Sequence, residues 1–120
     1  MSIQLELEEM PGYLAARFVG EGKTEGVWQQ FELIAENCKR MNNNKLLMDF
    51  TGAKGNVSLV DRYYLGERLQ IFALYRLKVA SVGRPKQTDP QKFGELVARN
   101  LKVNVRAFTD FQAAVKWLLE

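Results

Sequence analysis

The sequence contains no histidine and a single cysteine, Cys38. These two residue types supply most zinc sites and the base or nucleophile of the common hydrolases. One chain of this composition therefore cannot build a His/Cys metal cluster, a Ser-His-Asp triad or a Cys-His pair. We expect no metal, no cofactor and no enzymatic activity; a carboxylate-based reaction that uses Asp49 and Asp61 is the alternative.

Long hydrophobic runs and secretion signals are also missing. The apolar runs are only a few residues long, well short of the roughly 18 residues that a membrane-spanning helix needs. The amino terminus, MSIQLELEE, has neither the basic segment nor the apolar segment of a signal peptide. A single cysteine forms no internal disulfide, which agrees with a reducing compartment. We therefore expect a cytoplasmic protein with no membrane span.

The composition that is present is that of one globular domain. The chain has 120 residues, of which 47% are hydrophobic and 26% are charged, and this is enough for a self-sufficient core. No linker, repeat or low-complexity tract divides the chain, so we predict a single domain over residues 1–120. The net charge of +3 comes with no recognised nucleic-acid-binding motif, and we expect no nucleic-acid partner.

Hydrophobic periodicity predicts the order β-β-α-β-α-β-α-β-α. Apolar and polar residues alternate through the first strands and are interrupted by Pro11-Gly12, which predicts an antiparallel hairpin with a type II turn. The unbroken run Leu46-Leu47-Met48 is typical of a parallel strand buried on both faces. We predict an α/β fold with one mixed five-stranded sheet, an antiparallel opening hairpin, parallel crossovers and four helices.

Residues with cap and stop preferences mark the helix ends. Thr24 is the predicted N-cap of the first helix, and the triplet Asn42-Asn43-Asn44 is its predicted stop. A second helix is predicted to start near Ser58, and a third follows Asp89-Pro90 and runs to about position 100. The last helix is predicted to start with a capping box at Thr109.

The segment from Lys45 to Asp61 is the strongest candidate site, because a strand passes through a glycine-rich loop into a helix start. Helix amino termini and the carboxyl ends of parallel strands attract anions. Arg84 and Lys86 follow the next parallel strand, so they are expected at the same edge. The spacing GAKGNVS is not that of a P-loop. The hypothetical anion site comprises Gly52, Lys54, Gly55, Asn56, Ser58, Arg84 and Lys86.

The second helix also suggests an aromatic surface. Tyr63 and Tyr64 are adjacent, and adjacent helix positions lie about 100° apart, so both rings do not fit one narrow buried face. Together with Phe72 and Tyr75 they are predicted to contact a partner or a second subunit; peripheral core packing is the alternative. Cys38 lies on the apolar face of the first helix and is expected to be inert.

With this element order, the chain resembles the SpoIIAA-like proteins, relatives of the STAS domain that are grouped with the Sec14 lipid-transfer fold. The resemblance covers nearly the whole length and lies in the opening hairpin, in KLLMDFTGAKGNVSLVD and in VRAFTDFQAAVKWLL. In the sporulation anti-sigma-factor antagonists of that family, a partner kinase phosphorylates a serine within the motif Asp-Ser-Ser-Gly-Leu. The corresponding place here is Asn56-Val57-Ser58-Leu59, so only Ser58 matches, without the flanking acid and glycine.

The resemblance implies a non-enzymatic regulatory or recognition module. Its partner is expected to be another protein, or a second copy in a homodimer, bound through the second helix and the loop before it. The alternative is a module that binds a small anionic ligand, namely a metabolite, a nucleotide or a lipid headgroup, at the carboxyl edge of the sheet.

Overall fold

The structure is a computed structural model that describes residues 3–21, 25–54, 69–84 and 102–120. Within these ranges the strands are β1 (Gln4–Met10), β2 (Tyr13–Glu21), β3 (Lys45–Lys54), β4 (Lys78–Val82) and β5 (Asn104–Phe108). The helices within the same ranges are α1 (Glu25–Arg40), α2 (Ile71–Leu74) and α3 (Phe111–Leu119). The predicted starts of the first two helices, at Thr24 and Ser58, and the helix predicted after Asp89-Pro90 lie outside the described residues.

β1 and β2 form the antiparallel hairpin that the alternating pattern predicted. Met10 pairs with Tyr13, so Pro11 and Gly12 are the two central residues of the turn. Gly12 has a φ of 87°, the positive value that the second central position of a type II turn requires.

All five strands belong to one sheet, in which their order in space follows their order along the chain. β1 and β2 are antiparallel, whereas β2 to β5 are parallel to one another. The predicted mixed five-stranded sheet is therefore confirmed. Because β2 to β5 run in one direction, their last residues form one edge of the sheet, here called the carboxyl edge, and their first residues form the opposite amino edge.

β3 is the central strand, and it is buried on both faces as predicted. Leu46, Leu47 and Met48 are each at most 1% exposed. Leu46 and Met48 belong to the larger core cluster, which includes residues of α1 and α2, whereas Leu47 packs in the smaller cluster with Ala114 and Leu118 of α3. The sheet therefore separates two hydrophobic layers, one covered by α1 and α2 and the other by α3.

α1 and α2 end with the same hydrogen-bonding motif. After α1, the amide of Asn43 donates to the carbonyl of Cys38 and the amide of Asn42 donates to that of Lys39. After α2, Leu77 donates to Phe72 and Arg76 donates to Ala73. Asn42 and Arg76 have φ values of 53° and 54°, so each helix ends in a Schellman motif. The predicted stop at the asparagine triplet is confirmed.

The N-cap of α3 is Asp110, one residue after the predicted capping residue Thr109. The Asp110 carboxylate accepts a hydrogen bond from the amide of Gln112 at 3.1 Å, and its backbone is extended. A carboxylate side chain at this place also interacts favourably with the positive end of the helix dipole. The predicted cap at Thr109 was therefore wrong by one residue.

Aromatic rings join β2, α1 and α2 in the larger core. The ring centroids of Phe18 and Phe31 lie 6.3 Å apart, and those of Phe31 and Phe72 lie 5.3 Å apart. Phe72 is fully buried, so the surface role expected of its ring is corrected to a role in the core. The reason is that α2 packs against α1, which covers the side of α2 that carries Phe72.

We predict that Phe72→Ala lowers the free energy of unfolding by about 3–5 kcal/mol, because it removes a fully buried ring and leaves a cavity. Leu74→Ala in the same short helix is the matched control. Leu74 is 79% exposed, so this change is expected to shift stability by less than about 0.5 kcal/mol. Urea denaturation measures both, and equal losses would contradict this assignment of the core.

Candidate functional site

The candidate site lies where β3 passes the end of β4. The last β3–β4 pair is Asp49 with Val82, yet β3 continues to Lys54 and pairs there with β2, up to Glu21 opposite Lys54. The sequence predicts a strand from Lys45 to Phe50, with Gly52 and Lys54 in the loop after it, and this prediction was wrong. The strand is longer than predicted because β2 is long enough to pair with Gly52, Ala53 and Lys54.

A β-bulge lies inside this extension. Arg17 pairs with Asp49 but Val19 pairs with Gly52, so β3 has one more residue than β2 between these pairs. The Asp49 carboxylate holds the bulge: one of its oxygens, Oδ1, accepts hydrogen bonds from the amide of Thr51 at 2.9 Å and from the Thr51 hydroxyl at 2.6 Å. Asp49, the carboxylate named above for an enzymatic alternative, is thus a bulge-stabilising residue.

Gly52 is explained by its contact with β2. A Cβ added at Gly52 would lie 3.3 Å from the carbonyl oxygen of Phe18 and 3.4 Å from a methyl group of Val19. Such distances are tight for a Cβ atom, so the neighbouring strand favours glycine at this position. The glycine therefore permits close packing of β3 against β2, a role that does not depend on the anion site to which Gly52 was assigned from sequence.

Arg84 lies beside this extension of β3. Its guanidinium donates a hydrogen bond from Nη2 to the carbonyl oxygen of Ala53 at 2.9 Å. Beyond Asp49 the side of β3 that faces away from β2 is not paired with β4, and a strand edge of this kind needs donors for its carbonyls. Arg84 supplies one, and the bond brings it next to the segment that contains Gly52 and Lys54.

The described charges at the carboxyl edge are mixed. Lys54 and Arg84 are exposed, and the register places Glu21 opposite Lys54, so these three residues carry a net charge of +1. Gly55, Asn56, Ser58 and Lys86 lie outside the described residues, as do Tyr63, Tyr64 and Asp61. Of the predicted anion site, the structure therefore brings together Gly52, Lys54 and Arg84.

Of the predicted aromatic surface, Phe72 and Tyr75 are described. Phe72 is a core residue, whereas Tyr75 is partly buried and packs against the larger core cluster.

Tyr75 also lines a cleft at the amino edge that sequence reasoning missed. The volume of this cleft is about 710 Å³. The cleft is lined by Cys38, Lys39, Asn42, Asn43, Asn44, Leu74, Tyr75, Arg76 and Leu77.

The available sequence signal for this cleft was the asparagine triplet, which was interpreted only as a helix stop. The other wall of the cleft is formed by residues 74–77, which lie thirty or more positions later in the chain, and no local pattern joins the two segments. Cys38 is fully buried, and burial raises the pKa of its thiol to about 11, so the thiol is protonated at neutral pH and is a poor nucleophile.

Within the described ranges, no group of three or more Cys, Asp or Glu side chains is placed to hold a metal ion. None of the helices described there is long and apolar enough to cross a membrane.

Comparison with known proteins establishes the fold. The sequence matches no protein-family model, and no curated protein is detectably similar to it. The structure is similar to an anti-sigma factor antagonist from Mycobacterium paratuberculosis, with a TM-score of 0.63 and 16% identity over 99% of this chain and 96% of the other. It is also similar to an uncharacterised DUF3478-family protein with a SpoIIAA-like fold from Shewanella loihica, with a TM-score of 0.57 and 22% identity over 97% and 93% of the two chains.

The α/β architecture derived above is therefore the SpoIIAA-like fold, as the sequence resemblance implied. The match extends over nearly the full length of both chains in each comparison.

The bulge yields a prediction about Asp49. Asp49→Ala removes the oxygen that serves both hydrogen bonds from Thr51, and we expect it to lower the free energy of unfolding by about 1–2 kcal/mol. Asp49→Asn keeps an acceptor oxygen at the same place and is expected to cost less than half as much. Urea denaturation at neutral pH measures both variants. If alanine and asparagine have the same effect, the hydrogen bonds do not stabilise the bulge.

Proposed function

We propose that this chain is a non-enzymatic regulatory module that recognises another protein at the carboxyl edge of its sheet. The contact surface would combine Lys54 and Arg84 with the segment between β3 and α2, which contains Ser58, Tyr63 and Tyr64. The fold supports this proposal, since one structural neighbour is by its name an anti-sigma factor antagonist.

The observation that carries the proposal is the hydrogen bond from Arg84 to Ala53. It holds one cation beside a second exposed cation, Lys54, at the place where the chain leaves β3. Charged groups at the rim of an interface steer association and select partners of opposite charge. The partner surface is therefore expected to be acidic.

Among the residues that the structure describes, Cys38 and Asp49 support a non-enzymatic role. The sequence has no histidine. The Cys38 thiol is buried, and this burial raises its pKa to about 11. The Asp49 carboxylate is engaged by Thr51. General acid–base or nucleophilic catalysis needs a group that can reach a substrate in the required protonation state, and these groups are committed to the fold.

The test is charge reversal at the edge. We predict that Lys54→Glu abolishes or strongly weakens recovery of the protein that co-purifies with the wild-type chain. Arg106→Glu is the matched control, because Arg106 is also an exposed basic residue but lies on β5, away from the end of β3. Sedimentation of the purified chain at increasing concentration tests whether the partner is a second copy.

Circular dichroism and thermal melts of both variants check that they are folded. Recovery of the same partner by Lys54→Glu and by the wild type would refute this location of the interface. Equal loss with both variants would show a general effect of charge.

A small anionic ligand at the same edge is a second candidate, and the proximity of Arg84 to Lys54 favours it as well. A ligand that binds only the folded state raises stability by RT ln(1 + [L]/Kd). We predict that phosphorylated metabolites, nucleotides or soluble lipid headgroups raise the melting temperature of the wild type and raise that of Lys54→Gln less. Unchanged melting with all of these compounds would exclude this candidate and leave the protein partner.

A further inference from the structure

The cleft lies at the amino edge of the sheet, whereas Lys54 and Arg84 lie at the carboxyl edge. One wall is the end of α1 and the asparagines that lead into β3, and the other is Leu74 to Leu77, between α2 and β4. At its base the two strands are joined by the amide of Lys78, which donates to the carbonyl of Asn44 at 2.8 Å. The volume of about 710 Å³ is within the range of small-molecule sites.

The described lining of the cleft has charge of one sign. Lys39 and Arg76 are its charged residues, and both are exposed. Among the described residues, no carboxylate lies within ion-pair distance of Lys39 or Arg76. The ion pair in this part of the chain joins Arg17 of β2 to Glu8 of β1. Two cations thus line the cleft, and no counter-charge for them is found among the described residues.

The helix ends at the cleft do not cancel this charge. Each helix carboxyl terminus corresponds to at most about half a negative charge, and the two ends together offset about one of the two cations. Both ends are also capped: the carbonyls of Cys38, Lys39, Phe72 and Ala73 already accept hydrogen bonds from the Schellman amides. The net charge of the described lining therefore stays positive, as an anionic ligand requires.

The backbone of Arg76 gives a further reason to assign a role to its side chain. Arg76 occupies the left-handed region, with a φ of 54°, which costs a residue other than glycine or asparagine roughly 1 kcal/mol. The equivalent position after α1 is Asn42, which tolerates this conformation well. A strained residue in this position is a reason to look for a function, and the Arg76 side chain supplies one of the two cations of the cleft.

We propose that this cleft binds a small organic phosphate. The phosphate would lie between Lys39 and Arg76, because a guanidinium can donate two parallel hydrogen bonds to phosphate oxygens. The side-chain amide groups of Asn42 and Asn44, which also line the cleft, add neutral donors. The side chains of Leu74, which is 79% exposed, and Tyr75 form an apolar wall against which the organic part of the ligand would pack.

The experiment is an NMR titration of the isotope-labelled full chain with phenyl phosphate, with inorganic phosphate and phenol as separate probes at matched ionic strength. We expect phenyl phosphate to bind best and to shift the amides of Asn42 to Asn44, Arg76 and Leu77. The amides of Ala53 and Gly83, at the carboxyl edge, should not move. Shifts confined to the carboxyl edge, or none with phenyl phosphate, would overturn the proposal.

Two glycine substitutions provide matched variants. Arg76→Gly and Lys102→Gly each remove one positive charge. Each also relieves a left-handed backbone, because Lys102, like Arg76, has a positive φ, of 66°. Of these two residues, only Arg76 lines the cleft. We expect Arg76→Gly to stay folded and to weaken phenyl phosphate binding by about tenfold or more. Lys102→Gly should leave the affinity within about twofold.

Equal weakening by both glycine variants would indicate general electrostatic attraction and would refute the cleft as a site. Lys54→Gln separates this proposal from the function proposed above: it should not change binding at the cleft. Loss of phenyl phosphate binding in Lys54→Gln with no loss in Arg76→Gly would assign the phosphate to the carboxyl edge instead.

Discussion

Burial of β3 on both faces is the constraint on which the rest of the structure depends. Leu46, Leu47 and Met48 have almost no contact with solvent, so the backbone groups of this strand find their hydrogen-bond partners within the protein. β2 and β4 provide them in parallel pairing. Parallel neighbours need a crossover connection over one face of the sheet, and α1 makes the connection from β2 to β3. The other face is closed by α3, through Ala114 and Leu118 against Leu47.

The same arrangement gives the two edges of the sheet different chemistry. At the carboxyl edge β3 extends past the end of β4, and side chains form hydrogen bonds with its backbone: Arg84 donates to the carbonyl of Ala53, and Asp49 accepts from the amide of Thr51. At the amino edge, main-chain amides donate hydrogen bonds to the carbonyls at the ends of α1 and α2, in two Schellman motifs. The side chains of Lys39 and Arg76, the two cations that line the cleft, form no such bond with other described residues, whereas Arg84 at the opposite edge does.

Local chemistry made much of the fold predictable. Proline restricts its own φ and glycine accepts a positive one, so Pro11-Gly12 identified the turn between β1 and β2 from two residues. Asparagine tolerates the left-handed conformation, so the triplet after α1 identified the helix end. The apolar run in β3 identified a strand with two buried faces. In each case the residues that determine the structure are neighbours in the chain.

The misplaced predictions concern contacts between distant residues. Gly52 has the local signal of a loop, but its close neighbour is the carbonyl of Phe18 in another strand. Local spacing did not decide whether the Phe72 ring lies in the core or on the surface. Its contact with the ring of Phe31 in α1 places it in the core. The cleft joins residues 42–44 to residues 74–77, and neither stretch contains a motif that indicates the other.

The sequence by itself therefore determined the order of the elements, the opening turn, the end of α1 and the burial of β3, because backbone preferences and hydrophobic periodicity act over a few neighbouring residues. Only the tertiary structure decided where β3 ends, that Arg84 bonds to the backbone of β3, and that Lys39 and Arg76 line one cleft. These properties depend on strand register and on helix packing, which bring together residues that are tens of positions apart in the chain.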